Sequence, residues 1–77
     1  MVVEMVSPCN KLFSGEASLV QFPGSDGCFT VLEGHANMIA SLTKGKIKLV
    51  SNEEEFSFEI NGGIVEVLNN KLQVLVV

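Results

Sequence analysis

Between Lys46 and Ile60 two stretches of the chain alternate in polarity and mirror each other across a polar turn. Ile47 and Leu49 are separated by Lys48 and preceded by Lys46, while Phe56, Phe58 and Ile60 are separated by Ser57 and Glu59. A period of two is the signature of a half-buried strand, since successive side chains of a strand point to opposite faces. With Ser51-Asn52-Glu53-Glu54 as the turn, Val50 faces Glu55, Leu49 faces Phe56, Ile47 faces Phe58 and Lys46 faces Glu59. One register therefore satisfies the apolar and the polar face together, and a slip by one residue would reverse both. Glu53-Glu54-Glu55 is then a solvated hairpin tip and not a metal or acid/base site.

Asn69-Asn70 predicts a second hairpin, because asparagine tolerates the left-handed conformation that a type I′ turn requires. It sets Val67 against Leu72 and Val65 against Val74. The other face of that hairpin carries Ile64, Glu66, Leu68, Lys71, Gln73 and Leu75, too apolar a mixture to be indifferent to water. Another sheet or another subunit is expected to cover it. Asn61-Gly62-Gly63 supplies the corner between the two hairpins.

Upstream, Val2 to Val6 reads as a first strand at an edge, ended by Ser7-Pro8. Leu12-Phe13 leads through Ser14-Gly15-Glu16, with a bulge or bend at Gly15, into a strand from Ala17 to Phe22 that stops at Pro23. Pro23-Gly24 and Ser25-Asp26-Gly27 turn the chain back into a strand from Cys28 to Leu32. Gly34-His35-Ala36-Asn37 is a loop, and Met38 to Leu42 a short strand closed by Thr43-Lys44-Gly45. No segment shows sustained helical periodicity. The expected architecture is all-β, an antiparallel β-sandwich or flattened barrel of about eight to ten short strands. Residues 1–77 form one domain with no internal repeat.

Composition narrows the function. The net charge of −4 opposes binding to phosphate backbones or anionic lipid, so nucleic acid is not an expected partner. No apolar run approaches the roughly 18 to 20 residues that span a bilayer, and the first residues lack the basic flank and long apolar core of a signal peptide. Cys9 and Cys28 lie in different turns and are expected to be reduced thiols. With one histidine they do not make a tetrahedral zinc set, so neither metal nor cofactor is expected.

Several motifs fall in order along almost the whole chain: Leu12-Phe13-Ser14-Gly15, Pro23-Gly24-Ser25-Asp26-Gly27, Gly34-His35, Leu42 with Gly45, and Gly62-Gly63-Ile64-Val65-Glu66-Val67. Together they resemble the epsilon subunits of bacterial F-type ATP synthases, called delta in mitochondria, whose N-terminal domain is a β-sandwich. The resemblance implies a non-catalytic central-stalk subunit that couples rotation of the membrane ring to the gamma subunit, held peripherally at the cytoplasmic face of the bacterial inner membrane. It also implies a ring-facing loop comprising Ser25, Asp26, Gly27, Cys28, Glu33 and His35. The mixed apolar face of the last hairpin, through Ile64, Leu68 and Leu75, is the candidate gamma-facing surface.

Three departures from the family pattern bear on these expectations. Glu33 and Asn37 stand where the family often has proline, and Cys28 stands where a polar or acidic residue is common. The sequence ends at Val76-Val77, where the family usually continues into a helical hairpin, so inhibition of ATP hydrolysis and nucleotide binding are not carried over. No phosphate-cradling glycine-rich Lys loop is present.

Two other classes compete with the coupling subunit. A small-ligand-binding β-sandwich would hold its ligand between the sheets, which requires convergent polar groups inside. A thiol enzyme would bring Cys28 to His35, which requires the strand and turn between them to fold back. Asp26, alternatively, stabilises only its own turn through an Asx-type hydrogen bond.

Overall fold

The computed structural model describes residues 1–77, in which nine strands follow one another with no helix between them. They are β1 (Val2–Val6), β2 (Lys11–Glu16), β3 (Leu19–Gly24), β4 (Gly27–Leu32), β5 (Met38–Leu42), β6 (Gly45–Ser51), β7 (Glu54–Ile60), β8 (Gly63–Leu68) and β9 (Lys71–Val76). The hairpins read from periodicity form in the expected registers. Leu49 pairs with Phe56, Ile47 with Phe58 and Lys46 with Glu59, and Val67 pairs with Leu72 and Val65 with Val74. Both turns place two residues at positive φ, Asn52 and Glu53 at 51° and 65°, Asn69 and Asn70 at 50° and 64°. These are the paired left-handed conformations whose twist matches that of the flanking strands.

A single hydrogen-bonded path links the strands in the order β2-β1-β9-β8-β5-β3-β6-β7, with β4 added on β3. The path bends sharply where β5 meets β3, because their only pairing is Gly24 with Leu42. The sheet folds there into two layers, β2-β1-β9-β8-β5 and β4-β3-β6-β7. Pro23 makes the crossover possible. It has no N–H to give, its carbonyl accepts from the Thr43 amide at 2.8 Å, and the β3–β6 ladder has already ended at Gln21 and Lys48. The strand expected to end at Phe22 therefore runs two residues further, through Pro23 to Gly24.

The sixteen-residue core between the layers is wholly apolar, with Val3, Met5, Val20, Phe22, Val31, Ile47, Leu49, Val65 and Leu72 fully buried and no polar side chain among them. Phe22 stacks on Phe29 with ring centroids 5.3 Å apart. Where the edge strands β2 and β7 approach without a ladder, Phe13 closes the seam against Phe56 and Phe58 at 5.8 and 6.4 Å. Such tilted aromatic contacts add to the area that they bury.

Three local expectations are corrected. β1 is not an edge strand but lies between β2 and β9, because the Ser7-Asn10 turn folds β2 back along its outer side. Its pairing with β9 is parallel, the one departure from an otherwise antiparallel sheet. The irregularity expected at Gly15 falls instead between Met5 and Val6, and Gly15 pairs regularly with Val3.

Candidate partner-binding surfaces

The β3–β4 turn is a tight one, with Gly24 paired to Gly27 and only Ser25 and Asp26 between them. A Cβ on Gly24 would come within 2.5 Å of the Gly27 carbonyl oxygen, so no larger residue fits there without displacing the backbone. The neighbouring strand end holds the turn: the Ser25 amide donates to the Ser41 carbonyl at 3.0 Å, and the Ser41 hydroxyl donates to Ser25 Oγ at 2.9 Å. The Asx hydrogen bond considered for Asp26 is not formed, and its carboxylate projects from the turn, exposed alongside Cys28.

Glu33 and His35 lie at the other end of the same strand. The six extended residues of β4, at about 3.3 Å each, separate position 26 from position 33, on the order of 20 Å. That distance is nearly the full length of a molecule measuring 25 × 23 × 18 Å. The six residues assigned to one ring-facing loop therefore form two groups, Ser25 to Cys28 at one end of the sandwich and Glu33 with His35 at the opposite end. The same separation leaves Cys28 and His35 without contact, which removes the thiol-enzyme reading.

Asparagines pin the 33–37 loop to the β8–β9 turn. The Gly34 amide donates to Asn70 Oδ1 at 2.9 Å, and the Asn69 amide donates to Asn37 Oδ1 at 2.8 Å. Neither contact is visible as a sequence motif, since the partners are more than thirty positions apart. His35 turns its ring onto its own loop, Nδ1–H donating to the Ala36 carbonyl at 2.8 Å. The Met1 amino group donates to the Ala17 carbonyl at 3.0 Å, pairs with the Glu33 carboxylate and lies 3.6 Å from Glu16 Oε1. The Glu33 hydrogen bond, with the added attraction of both carboxylates, raises the amine above its ordinary value, against the opposing effect of its burial. The hydrogen bond and charge of the ammonium hold the Glu33 carboxyl below its own.

Five of the eight large hydrophobics left exposed, Val2, Ile39, Ile64, Leu68 and Leu75, lie on the outer face of the β2-β1-β9-β8-β5 layer. Cross-strand pairing aligns Ile64, Leu75 and Val6 in one row, and Leu68, Lys71 and Val2 in another. Between them runs a third row of Ile39, Glu66, Gln73 and Glu4. Ile39 is 65% exposed, Leu68 and Leu75 50% each and Ile64 44%. Ile64, Leu68 and Leu75 were legible from the alternation of one hairpin. Val2, Val6 and Ile39 were not, because they join this face only through the β1–β9 and β5–β8 pairings. No polar side chain enters the core between the layers, so a ligand there would find no side chain to orient it.

A sequence profile described as ATP synthase, Delta/Epsilon chain, beta-sandwich domain matches residues 1–77. The chain belongs to this family. It is 43% identical over 74 residues to the ATP synthase epsilon chain of Chlorobium limicola, a match covering 95% of this chain and 84% of that one. Its fold is similar to that of a chain in the Euglena gracilis mitochondrial ATP synthase structure containing OSCP, F1 and the c-ring, with a TM-score of 0.92 at 15% identity. That match covers 99% of this chain and 49% of the Euglena chain, so the present sequence spans about half of its length. A chain in the central stalk and c-ring structure of the Tetrahymena thermophila enzyme gives a TM-score of 0.84 at 16% identity, over 97% of this chain and 61% of that one. At these identities the likeness to the solved structures is one of fold.

Membership of the delta/epsilon β-sandwich family gives the Gly62-Gly63 motif a structural meaning. A Cβ on Gly63, whose φ is 153°, would stand 2.3 Å from the Leu75 carbonyl oxygen. Here β8 and β9 approach so closely that only glycine fits. No helix in the structure is long and apolar enough to cross a membrane.

Proposed function

We propose that this chain is a non-catalytic coupling element of the ATP synthase rotor, joining the gamma subunit to the membrane ring and seated peripherally on the cytoplasmic side of the bacterial inner membrane. The observation that carries the proposal is the apolar outer face centred on Ile64, Leu68 and Leu75, set on a core without a single buried polar side chain. Close-packed layers transmit strain with little compliance, which is the property a mechanical coupler needs.

In this reading the apolar face meets gamma, and the Ser25–Cys28 turn, with the exposed Asp26 carboxylate, meets polar loops of the ring. Glu33 and His35, at the opposite end of the sandwich, serve chiefly to hold their own loop against Asn70 and Met1. Reconstitution tests the assignment. Leu68→Glu and Leu75→Glu are expected to abolish gamma binding with the fold retained, and Asp26→Lys to lower ATP-driven proton pumping in the assembled enzyme. Normal binding and pumping by all three variants would overturn it.

A further inference from the structure

The centre of the apolar face is concave. A hollow of about 420 Å³ opens there, lined by Glu4, Val6, Ile39, Ile64, Glu66 and Leu75, among others. Two carboxylates, with the Gln73 amide between them, in a hollow whose other lining side chains are aliphatic are the feature that a purely apolar partner would not explain. Glu66 and Glu4 sit in the same cross-strand row with Gln73 between them. At about 4.8 Å per strand their backbones stand on the order of 10 Å apart, a span that one cationic head group can bridge.

The two acids differ in what they already hold. Glu4 lies 3.9 Å from the Lys11 ammonium. Glu66 is half-buried and forms neither an ion pair nor a side-chain hydrogen bond; Lys71, on the same face, does not reach it within 4.0 Å. Covering this face with aliphatic surface alone would strip water from the Glu66 carboxylate and leave it unpaired, a costly outcome. A second copy of this chain would bring the same pair of carboxylates against them. An anionic lipid or phosphate would meet charge of its own sign.

We infer that the hollow receives one basic side chain from the partner polypeptide, its charged head held by Glu66 and Glu4 and its methylene stem lying on Ile39, Ile64 and Leu75. The partner surface is thus an aliphatic patch with a single lysine or arginine near its centre. Arginine suits the geometry best, since its planar fork donates to two carboxylates at once. The inference rests on the reading that this face is covered in the assembled rotor, and it specifies the chemistry of whatever covers it.

The test titrates this chain onto ATP synthase depleted of it, reading affinity by biolayer interferometry at several salt concentrations. Glu66→Gln keeps the shape and removes the charge; it is expected to weaken binding about tenfold or more, since loss of one member of a desolvated pair leaves the other unpaired. Glu66→Lys should weaken it further, and the salt dependence of the wild-type chain should exceed that of Glu66→Gln. Circular dichroism and thermal melting establish that the variants are folded. If Leu75→Ser weakens binding while Glu66→Gln stays within about twofold with an unchanged salt dependence, the face is correct and the basic side chain is refuted. If the wild-type chain does not bind at all, the rotor reading itself fails, and the inference with it.

Discussion

The two layers of this sandwich share one core yet present opposite outer faces. On the β4-β3-β6-β7 layer the outward positions include Thr30, Gln21, Lys46, Lys48, Ser57 and Glu59, all exposed. On the β2-β1-β9-β8-β5 layer they include Val2, Ile39, Ile64, Leu68 and Leu75, also exposed. Both layers follow the same period-two rule on the inside, so folding alone does not require the difference. Scattered exposed aliphatics are normal on any protein, but aligned rows of them on one face mark a surface built to be covered. The comparison separates what the chain needs to fold from what it needs to assemble.

The largest effect expected is one that breaks both faces together. Phe22 is fully buried between the layers, and Phe22→Ala should cost roughly 3–5 kcal/mol in urea unfolding. A single transition by both fluorescence of a site-specific label and far-ultraviolet dichroism is expected, since one core supports both layers. Separate transitions would mean that the faces belong to independently stable units.

A matched pair of substitutions sharpens the contrast directly. Leu75→Glu should weaken assembly with the partner by at least about tenfold, because a leucine side chain buried at an interface contributes about 1.5–3 kcal/mol. Lys48→Glu, on the other face, should change affinity by no more than a few fold, and both variants should change stability by about 0.5 kcal/mol or less. Equal losses of affinity at the two sites would erase the distinction between the faces.

Turn chemistry offers a smaller, stabilising effect. Glu53 adopts a φ of 65° in the β6–β7 turn. Relief of its left-handed strain in Glu53→Gly should raise stability by about 1 kcal/mol, seen as a higher urea midpoint at unchanged slope. Partner binding should not change, because the turn lies off the apolar face.

The smallest effect is a change in the shape of the pH profile. The raised Met1 amine stabilises the fold below its ordinary value near 8.0 and loses that contribution as pH rises through the higher folded value. The lowered Glu33 carboxyl stabilises it above its ordinary value near 4.5 and loses that contribution as pH falls through the lower folded value. Their pair contributes fully only between these limits. Glu33→Gln should flatten both limbs of a thermal-melting profile recorded across this range, and a parallel downward shift at every pH would rule the pairing out.

Local alternation made the β6–β7 and β8–β9 hairpins legible, down to which residue faces which. The turn at Ser25-Asp26 was equally legible, because Pro23, Gly24 and Gly27 restrict the backbone. The grouping of Asp26 with Glu33 and His35 was not, since nearness in sequence becomes distance in space once the intervening residues are extended. The edge position expected for β1 followed from Pro8, yet Pro8 falls in a turn and leaves the ladder untouched.

What the residues by themselves determined is the set of hairpins and the side of each strand that turns inward, because a tight turn and a period of two admit one low-energy register. What only the tertiary structure decided is the parallel seating of β1 beside β9 and the corner between β5 and β3. Those pairings join segments far apart in the chain, and no short turn specifies them; they form because they bury Val3 and Met5 with Leu72 and Val74 in one core. The same pairings bring Glu4 and Val6 to Glu66 and Leu75. The surface proposed for assembly is a consequence of how the core closes.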